Sequence, residues 1–262
     1  MATKTSSPAG GQSISRATDL LRILSTAMPL GLTTSDLSRH ANLTRPTTHR
    51  ILAILAHEGF VDRNTLTGNW LLGPELYVLG AIAAERYDIT EVAAGQVASL
   101  ARETGESAFL SARRGNESVC LTRVDGSFPI RSFVLYEGVR FPLGVASAGI
   151  AMLAFENDAY IDEYLQRENF IDSHGVKHSA AEIRERIAET RELGYSVNPG
   201  LVVEGSWGMA AAIFSPSGSA EWALSLTGVD TRFTRERRPH LGRLLLEHAH
   251  EVTRRLRTPK IS

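Results

Sequence analysis

The sequence predicts a mixed α+β protein with two parts, a winged helix-turn-helix domain followed by a domain built on an antiparallel sheet. Before residue 73, apolar residues recur at helical spacing and end in a short hairpin pattern. After residue 88, strand-like runs joined by turns alternate with amphipathic helices. We expect a flexible tail over residues 1–12, the winged domain over 13–73, a linker helix over 74–87 and the second domain over 88–258.

Composition bounds the class of protein. The chain has 262 residues, enough for two buried cores. It contains no run of about 18 apolar residues, so no membrane span is predicted, and the first residues lack the apolar stretch of a signal peptide. The single cysteine, Cys120, forms no internal disulfide, excludes a cysteine-rich zinc module and fits a reducing cytoplasm.

Charge is divided unevenly along the chain. Residues 1–73 carry seven Lys/Arg and four Asp/Glu, a net charge of +3, whereas the remainder carries 21 basic and 25 acidic residues, a net charge of −4. The two parts together give the net charge of −1 of the whole chain. A mildly basic N-terminal part suits a polyanionic partner.

The stretch from Thr33 to Glu58 predicts two helices joined by a tight turn. Thr33 and Asp36 have the spacing of a helix N-cap with a reciprocal side chain. Asn42 tolerates a left-handed backbone and can therefore end the first helix. A second helix then starts at Thr44, with Pro46 in its first turn, where the missing N–H does no harm.

The second helix has separable faces. Four residues at helical spacing form the inward stripe, namely Thr48, Ile51, Leu52 and Leu55. The outward residues are Arg45, Pro46, Thr47, His49, Arg50 and Ala53. This is helix-turn-helix geometry, in which the second helix enters a DNA major groove with its first turns at the base edges. An ordinary αα-hairpin remains an alternative on this segment alone.

The flanking segments favour DNA binding. A helix opened by Ser15 has a leucine stripe that completes a three-helix core, and Gly59 ends the second helix of the pair. Two short β-type runs, 60–63 and 69–72, then form a hairpin in the position of a wing. A wing lies along the DNA backbone or minor groove, and Arg63 and Asn64 are placed to contact it.

The linker helix is predicted to begin at Pro74 and to run to about Tyr87. Its stripe of small and branched residues, including Leu79 and Gly80, favours contact with a second copy of the chain; the alternative is that the stripe packs on its own domain. The second domain is expected to contain strands at 107–112, 118–124, 131–135, 209–214 and 221–227, and helices at 89–104, 147–155, 158–167, 180–193 and 234–257.

Several motifs together resemble the IclR-type transcriptional regulators over roughly Ser13 to Leu256. The matching segments are SRA at 15–17, LTTSDLSR at 32–39, LTRPTTHRIL at 43–52, EGFV at 58–61, WLLG at 70–73, GVRFPL at 138–143, ASAGIAMLA at 146–154, GYS at 194–196 and AAAIF at 210–214. Two residues depart from the family pattern: Asn42 stands where glycine is usual, and Ile150 where lysine is common.

The resemblance implies a GAF-like effector domain, a double-stranded DNA operator, a small-molecule effector, and a homodimer that assembles as a dimer of dimers. No cofactor is implied. The candidate DNA-binding residues are Thr34, Ser35, Arg45, Pro46, Thr47, His49, Arg50, Arg63 and Asn64.

A candidate effector site begins at the predicted helix start Ser147, Ala148 and Gly149. Its free backbone N–H groups and the helix dipole favour an anion, and its small side chains allow close approach. The resemblance adds Phe133, Phe141, Asn198, Ser206, Gly208, Ser225 and Thr227. Hydroxyls, helix N–H groups and aromatic walls suit a small organic acid, including aromatic acids. The alternative is that these residues only fill the domain core.

Other chemistry has weak support in the sequence. There is no G-x-S-x-G elbow, P-loop or dinucleotide fingerprint, so no catalytic residue is assigned. His174 and His178 have a spacing that could hold a metal on a helix, but Gly175 between them predicts a surface loop, and no metal site is assigned. The expected function is a DNA-binding transcriptional regulator controlled by an effector. The competing classes are an enzyme or metabolite-binding protein acting through the α+β domain, and an architectural DNA-binding protein without a ligand.

Overall fold

The computed structural model describes residues 11–86 and 89–257. The chain divides into two compact units, one within residues 3–88 and the other within residues 89–262, and each is described by itself. The predicted linker helix falls in the N-terminal unit. Residues 1–10 of the predicted tail, Tyr87 of the predicted linker helix and residue 258 lie outside the described part. Gly11 and Gln12 already belong to the start of the first helix.

The N-terminal unit is a three-helix core with a two-stranded wing and a following helix. Its elements are α1 (Gln12–Thr26), α2 (Thr34–His40), α3 (Arg45–His57), β1 (Val61–Arg63), β2 (Trp70–Leu72) and α4 (Pro74–Arg86). The two strands pair antiparallel. The core consists of Leu20, Leu24, Leu37, Leu52, Val61 and Trp70, each almost fully buried. The three-helix arrangement and the wing are therefore as predicted, although α1 begins earlier than Ser15.

The turn between α2 and α3 has the predicted chemistry. The Thr33 hydroxyl accepts from the Asp36 N–H at 3.2 Å and donates to the Asp36 carboxylate at 2.6 Å. The bond from Thr33, together with nearby Arg39, lowers the pKa of Asp36. Asn42 has a φ of 51°, and Thr44 caps α3 by accepting from the Thr47 N–H. Both helix starts and the left-handed turn are thereby confirmed.

The C-terminal unit is a three-layer α+β domain. Its helices are α5 (Ile89–Thr104), α6 (Ser147–Leu153), α7 (Asp158–Arg167), α8 (Phe170–His174), α9 (Ala180–Leu193) and α10 (Arg238–Arg257). Its strands are β3 (Ser107–Arg114), β4 (Glu117–Val124), β5 (Arg140–Pro142), β6 (Tyr195–Pro199), β7 (Ser206–Phe214) and β8 (Ala220–Val229). They form a six-stranded antiparallel sheet in the order β5-β4-β3-β8-β7-β6.

The alternation of side chains along β7 and β8 separates two cores. Met209, Ala211 and Leu224 face α5 and α10, where they pack with residues such as Leu241. Their neighbours Ala210, Ala212 and Ala223 face the opposite layer of α6, α7 and α9. The small residues on this second face let α6 lie close to the sheet.

The predicted strand at 131–135 is wrong. This segment is an irregular loop, and the strand that pairs with β4 is β5, at Arg140–Pro142. The alternation of RSFVL resembles a strand, but Pro142 and Phe141 take the free edge of β4 opposite Glu117 and Ser118. The loop instead reaches toward β7, where the Ser132 hydroxyl contacts that of Ser206.

Two further expectations are corrected. The last helix begins at Arg238 rather than Thr234, because residues 234–237 form a turn and the Arg237 guanidinium donates to the buried Glu106 carboxylate at 2.6 Å. Gly175 and Lys177, after the end of α8 at His174, are exposed as expected of a surface connection, but His178 itself is fully buried. Within the described residues, no helix combines the length and the apolar character needed to cross a bilayer.

Asn42 sits in a conformation that costs a residue with a Cβ about 1–2 kcal/mol unless its side chain can compensate. We expect Asn42→Ala to lower the stability of the α2–α3 turn by about 1 kcal/mol, and Asn42→Gly to leave it nearly unchanged. Hydrogen exchange of peptides from α2 and α3, followed by mass spectrometry in the full chain, measures this opening. His40→Ala, at ordinary helical φ, is the control; equal protection in Asn42→Ala and the wild type would contradict the prediction.

Candidate DNA interface and effector cavity

The second helix of the pair, α3, presents its predicted outer face to solvent. Thr48 and Leu52 are fully buried, which orients the helix. On the opposite side Arg45, Pro46, His49, Arg50 and Ala53 are exposed. Thr47 is half-buried, and its hydroxyl accepts from the Thr44 hydroxyl at 2.9 Å. The first turns of α3 thus offer two guanidinium groups and an imidazole.

The two predicted residues at the start of α2 have different surroundings. The Ser35 hydroxyl accepts from the Arg45 guanidinium, so these residues lie together where α2 and α3 approach. The Thr34 hydroxyl instead accepts from the Trp70 indole N–H at 2.9 Å. Thr34 therefore helps to hold the wing strand β2 against α2, a role that the sequence did not predict.

The wing loop is closed by its own hydrogen bonds. The Asn64 side-chain oxygen accepts from the N–H groups of Leu66 and Thr67 at 2.9 and 3.0 Å. Asn64 was expected to contact DNA; in the structure its side-chain oxygen folds the wing loop. Arg63 is exposed; its guanidinium lies 5.6 Å from the centre of the Trp70 ring, and its Nε donates to the Gly68 carbonyl at 3.4 Å.

In the C-terminal unit, a small cavity lies between the sheet and the start of α6. Its volume is about 20 Å³, the room of one water molecule. Five of the predicted effector residues line it: Ser147, Asn198, Ser206, Gly208 and Thr227. Five further lining residues were not predicted, namely Val134, Leu135, Ala146, Val202 and Trp207. The first four are apolar, and no polar pattern in the sequence marks them. Trp207 could have been found only as the sequence neighbour of Gly208.

Four other predicted effector residues lie away from this cavity in the present conformation. Phe133 is 74% exposed, with the Arg123 guanidinium 5.3 Å from its ring centre, so it is not a buried aromatic wall. Phe141 packs half-buried against Phe109 and its neighbours. Ala148 belongs to the core around α6. A Cβ on Gly149 would lie 3.2 Å from the Leu143 Cα, so this glycine permits close packing of backbone.

Buried hydrogen bonds fix the start of α6 beside the cavity. The Ser196 hydroxyl donates to the Ser147 carbonyl at 2.8 Å, and the Asn198 amide donates to the Val145 carbonyl at the same distance. The Asn198 carbonyl oxygen accepts from the Leu201 N–H. Both ends of this side chain are thus engaged with backbone. Ala146, the cap position of α6, supplies no side-chain bond to the first-turn N–H groups.

Two hydroxyls on this face of the sheet are unpartnered. Ser225 and Thr227 are two apart on β8, and their side-chain oxygens are buried without a hydrogen-bond partner among the residues that the structure describes. Gly208 pairs with Thr227 across the strands, and a Cβ at this glycine would lie 3.0 Å from the Ser147 hydroxyl. A buried hydroxyl without a partner is destabilising, so these groups indicate a place for a polar ligand atom or water.

A larger groove lies outside the cavity and shares Val134 and Ser206 with it. The groove has a volume of about 410 Å³ and is bounded by the loops at 131–134 and 203–206. The hydroxyls of Ser132 and Ser206 are 2.6 Å apart, which joins the two loops. The cavity and the groove together form the candidate small-molecule site of the C-terminal unit.

Other reactive groups have structural explanations. His178 Nδ1 is 2.8 Å from the His174 carbonyl oxygen, and burial lowers the pKa of His178. Among the described residues, no group of three or more His, Cys, Asp or Glu is arranged to hold a metal. Cys120 is buried beside Phe109 and Leu135, and desolvation raises the pKa of its thiol to about 12. That thiol is protonated at neutral pH and is a poor nucleophile.

Comparison with known proteins assigns the family. Residues 81–254 match the bacterial transcriptional regulator IclR C-terminal domain, and residues 13–65 match the IclR helix-turn-helix domain. The transcriptional repressor IclR of Escherichia coli K12 is 26% identical over 251 residues, spanning 94% of this chain and 91% of that protein.

Solved structures share the fold. A transcriptional regulator from Rhodococcus sp. RHA1 is 26% identical with a TM-score of 0.74, over 94% of this chain and 98% of that one. An IclR homologue from Microbacterium hydrocarbonoxydans, solved with 4-hydroxybenzoate, is 22% identical with a TM-score of 0.74, over 94% and 99% of the two chains. The curated relatives are named as regulators, and the enzyme alternative is set aside on that ground. The chain therefore belongs to the IclR family and is a DNA-binding transcriptional regulator with an N-terminal helix-turn-helix domain and a C-terminal effector-binding domain.

Proposed function

We propose that a small organic acid controls operator binding by occupying the C-terminal cavity, and that the regulator works in the cytoplasm as a homodimer that pairs into a tetramer. Aromatic acids are the first class to test. The observation that carries the effector proposal is the pair of unpartnered hydroxyls of Ser225 and Thr227. The relative solved with 4-hydroxybenzoate supports the class of ligand.

The chemistry of the cavity suits a carboxylate. The Thr227 hydroxyl, which lines the cavity, can donate to it, and the Ser147 N–H in the uncapped first turn of α6 adds a second donor. Ser225, two residues earlier on the same face of β8, can donate only to a ligand that reaches beyond the present cavity. Hydrogen bonds to a charged group contribute roughly 1.5–3 kcal/mol each, more than neutral ones. Leu135, Val134 and Val202 supply the apolar surroundings. The ligand is thus recognised by hydrogen bonds inside a mostly apolar enclosure.

Binding requires the cavity to open. A volume of about 20 Å³ cannot hold an aromatic acid, whose own volume is several times larger. The Ser132–Ser206 contact lies between the cavity and the outer groove, and a neutral hydrogen bond contributes only about 1 kcal/mol net. We infer that parting these two loops joins the cavity to the groove, which brings Phe133 within the enlarged site.

On the DNA side, we propose that the exposed residues of α3 read base edges and that Arg63 contacts the backbone. Arg50 lies one turn into α3 on the exposed side, the position from which a guanidinium reaches a guanine. Arg45 shares its guanidinium with Ser35, so these two residues act together. Thr34 and Asn64 contribute mainly by holding the wing.

We expect Arg50→Ala to abolish preference for the operator while the fold is kept, since a bidentate contact contributes about 1–3 kcal/mol of discrimination. Arg50→Lys keeps the charge without the fork and should lose most of the preference too. Arg63→Ala should weaken binding to all DNA alike. Gel-shift titrations on operators selected from random DNA, and on random duplex, measure this. Operator preference retained by Arg50→Ala would contradict the proposed facing of α3.

The effector proposal predicts opposite effects of Thr227→Val on stability and binding. Removing an unpartnered buried hydroxyl should leave the melting temperature of the free protein equal or higher. The same change should weaken acid binding by about tenfold, because a bond to the carboxylate is lost. A thermal-shift screen with 4-hydroxybenzoate and other aromatic and aliphatic acids measures both.

Ser147→Phe should fill the cavity and abolish the thermal shift while operator binding persists. Thr190→Val is the matched control for Thr227→Val, because the Thr190 hydroxyl is also buried but donates to the Arg186 carbonyl at 2.6 Å on α9. It should lower stability and keep the response to the acid. If Ser147→Phe responds to acids like the wild type, the effector lies elsewhere.

Assembly is proposed from the surface of α4. Within this helix Tyr77, Val78, Leu79 and Ile82 are all exposed, at 45–81%. A Cβ added at Gly80 would meet no atom of the described chain within 4 Å, so another helix can approach there. An exposed apolar helix of this kind marks an interaction surface, and a twofold operator requires two DNA-binding domains.

We expect the wild type to be a dimer or tetramer in solution and Leu79→Glu to shift it toward monomer, because a charge would be buried in the helix contact. Leu66→Glu, an equivalent change at a 94% exposed wing residue, is the control and should leave assembly unchanged. Light scattering at micromolar concentration measures the mass. A monomeric wild type would contradict the proposed assembly through α4.

A further inference from the structure

The tip of the wing is a leucine. Leu66 is 94% exposed, more than any other large apolar side chain in the described part of the chain. Single exposed apolar residues are common, so exposure alone indicates nothing. The surroundings of Leu66 give its exposure a specific meaning.

The loop that carries Leu66 is closed by its own hydrogen bonds. The Asn64 side chain accepts from Leu66 N–H and Thr67 N–H, and the Asn64 backbone pairs with Gly68 and Asn69 at 2.8 Å on each side. The Asn69 N–H also donates to the Thr67 hydroxyl. The polar groups of the loop are therefore largely engaged within it, while the Leu66 side chain is directed into solvent.

The loop also lacks charge. No Asp, Glu, Lys or Arg occurs between residues 64 and 73. The nearest cation, Arg63, ends β1, and its guanidinium lies beside the Trp70 ring and donates to the Gly68 carbonyl. A loop tip that only followed the phosphates would be expected to carry cations. The surface at this tip consists instead of leucine methyl groups between the exposed side chains of Thr65 and Thr67.

We propose that Leu66 is an apolar wedge that the wing places in the DNA minor groove, where it partly unstacks a base step and bends the duplex. The minor-groove proteins that kink DNA insert an apolar side chain from a rigid element in this way. The threonines on either side can contact sugar and base edges, and Arg63 can reach the phosphate at the groove wall. The inference rests on duplex DNA binding by the winged domain and adds a bend at a predictable place. Flexible pyrimidine–purine steps should be favoured under the wing.

The test measures bending and stacking separately from affinity. An operator selected by the wild type is labelled at both ends for energy transfer, and 2-aminopurine is placed singly at each step near the wing. The wild type should raise 2-aminopurine fluorescence at one step and shorten the end-to-end distance. Leu66→Ala and Leu66→Gln should remove both signals and weaken binding on the order of tenfold. Leu66→Met, which keeps an apolar side chain of similar volume, should retain them.

Two comparisons separate the wedge from other roles. Leu66→Ala should leave the salt dependence of binding unchanged, whereas Arg63→Ala should reduce its slope by about one because a phosphate contact is lost. Thr65→Ala, on the neighbouring exposed residue, should keep the bend. The proposal is overturned if Leu66→Ala binds and bends like the wild type, or if no position of 2-aminopurine responds to the wild type. In the same experiment, preferential binding of the wild type to the operator over random duplex tests DNA binding itself.

Discussion

The DNA-binding domain depends on the placement of one indole ring. Trp70 is nearly fully buried, and its N–H donates to the Thr34 hydroxyl at the start of α2. Its backbone pairs with Leu32 on one side and with Arg63 on the other, so three chain segments meet at this residue. The indole thus fixes the wing relative to the helix-turn-helix through the core and a buried hydrogen bond at once. Because phosphate and base contacts must be made together, this relative placement sets which DNA geometry the domain can bind.

In the C-terminal domain, by contrast, the buried hydroxyls of Ser225 and Thr227 are left without a hydrogen-bond partner among the described residues. Ser225 and Thr227 occupy positions on the central strand where alanine or valine would pack without cost. Strand β6, two strands away at the sheet edge, instead satisfies its polar groups, since Ser196 and Asn198 hold the backbone before and at α6. The domain therefore pairs some buried polar groups fully and leaves the hydroxyls of Ser225 and Thr227 unsatisfied on one stretch of β8. Such places are where a ligand recovers the most free energy, because each bond it makes removes a penalty already present.

Local signals were the most predictable from sequence. Thr33 and Asn42 each act within four residues, so their roles as cap and turn residue follow from the chain alone. Signals that depend on a distant partner were missed or misassigned. The 131–135 segment alternates like a strand, but the free edge of β4 was already taken. Half of the predicted effector residues line the cavity, and the apolar remainder of its wall could not be predicted, since an apolar side chain carries no mark of which cavity it faces.

The closed cavity constrains how an effector can act. A ligand shifts an equilibrium only by its difference in affinity for the two states, so an acid that needs the loops parted must favour whichever conformation of the domain permits parting. If opening costs a few kcal/mol, the measured affinity falls tenfold for every 1.4 kcal/mol of that cost. If operator DNA favours the closed form, it must lower the affinity for the effector. The factor is the same as that by which the effector lowers the affinity for that DNA. In the proposed mechanism, a change at Ser132, which lines the groove but not the cavity, weakens the Ser132–Ser206 bond and alters effector affinity and operator response together.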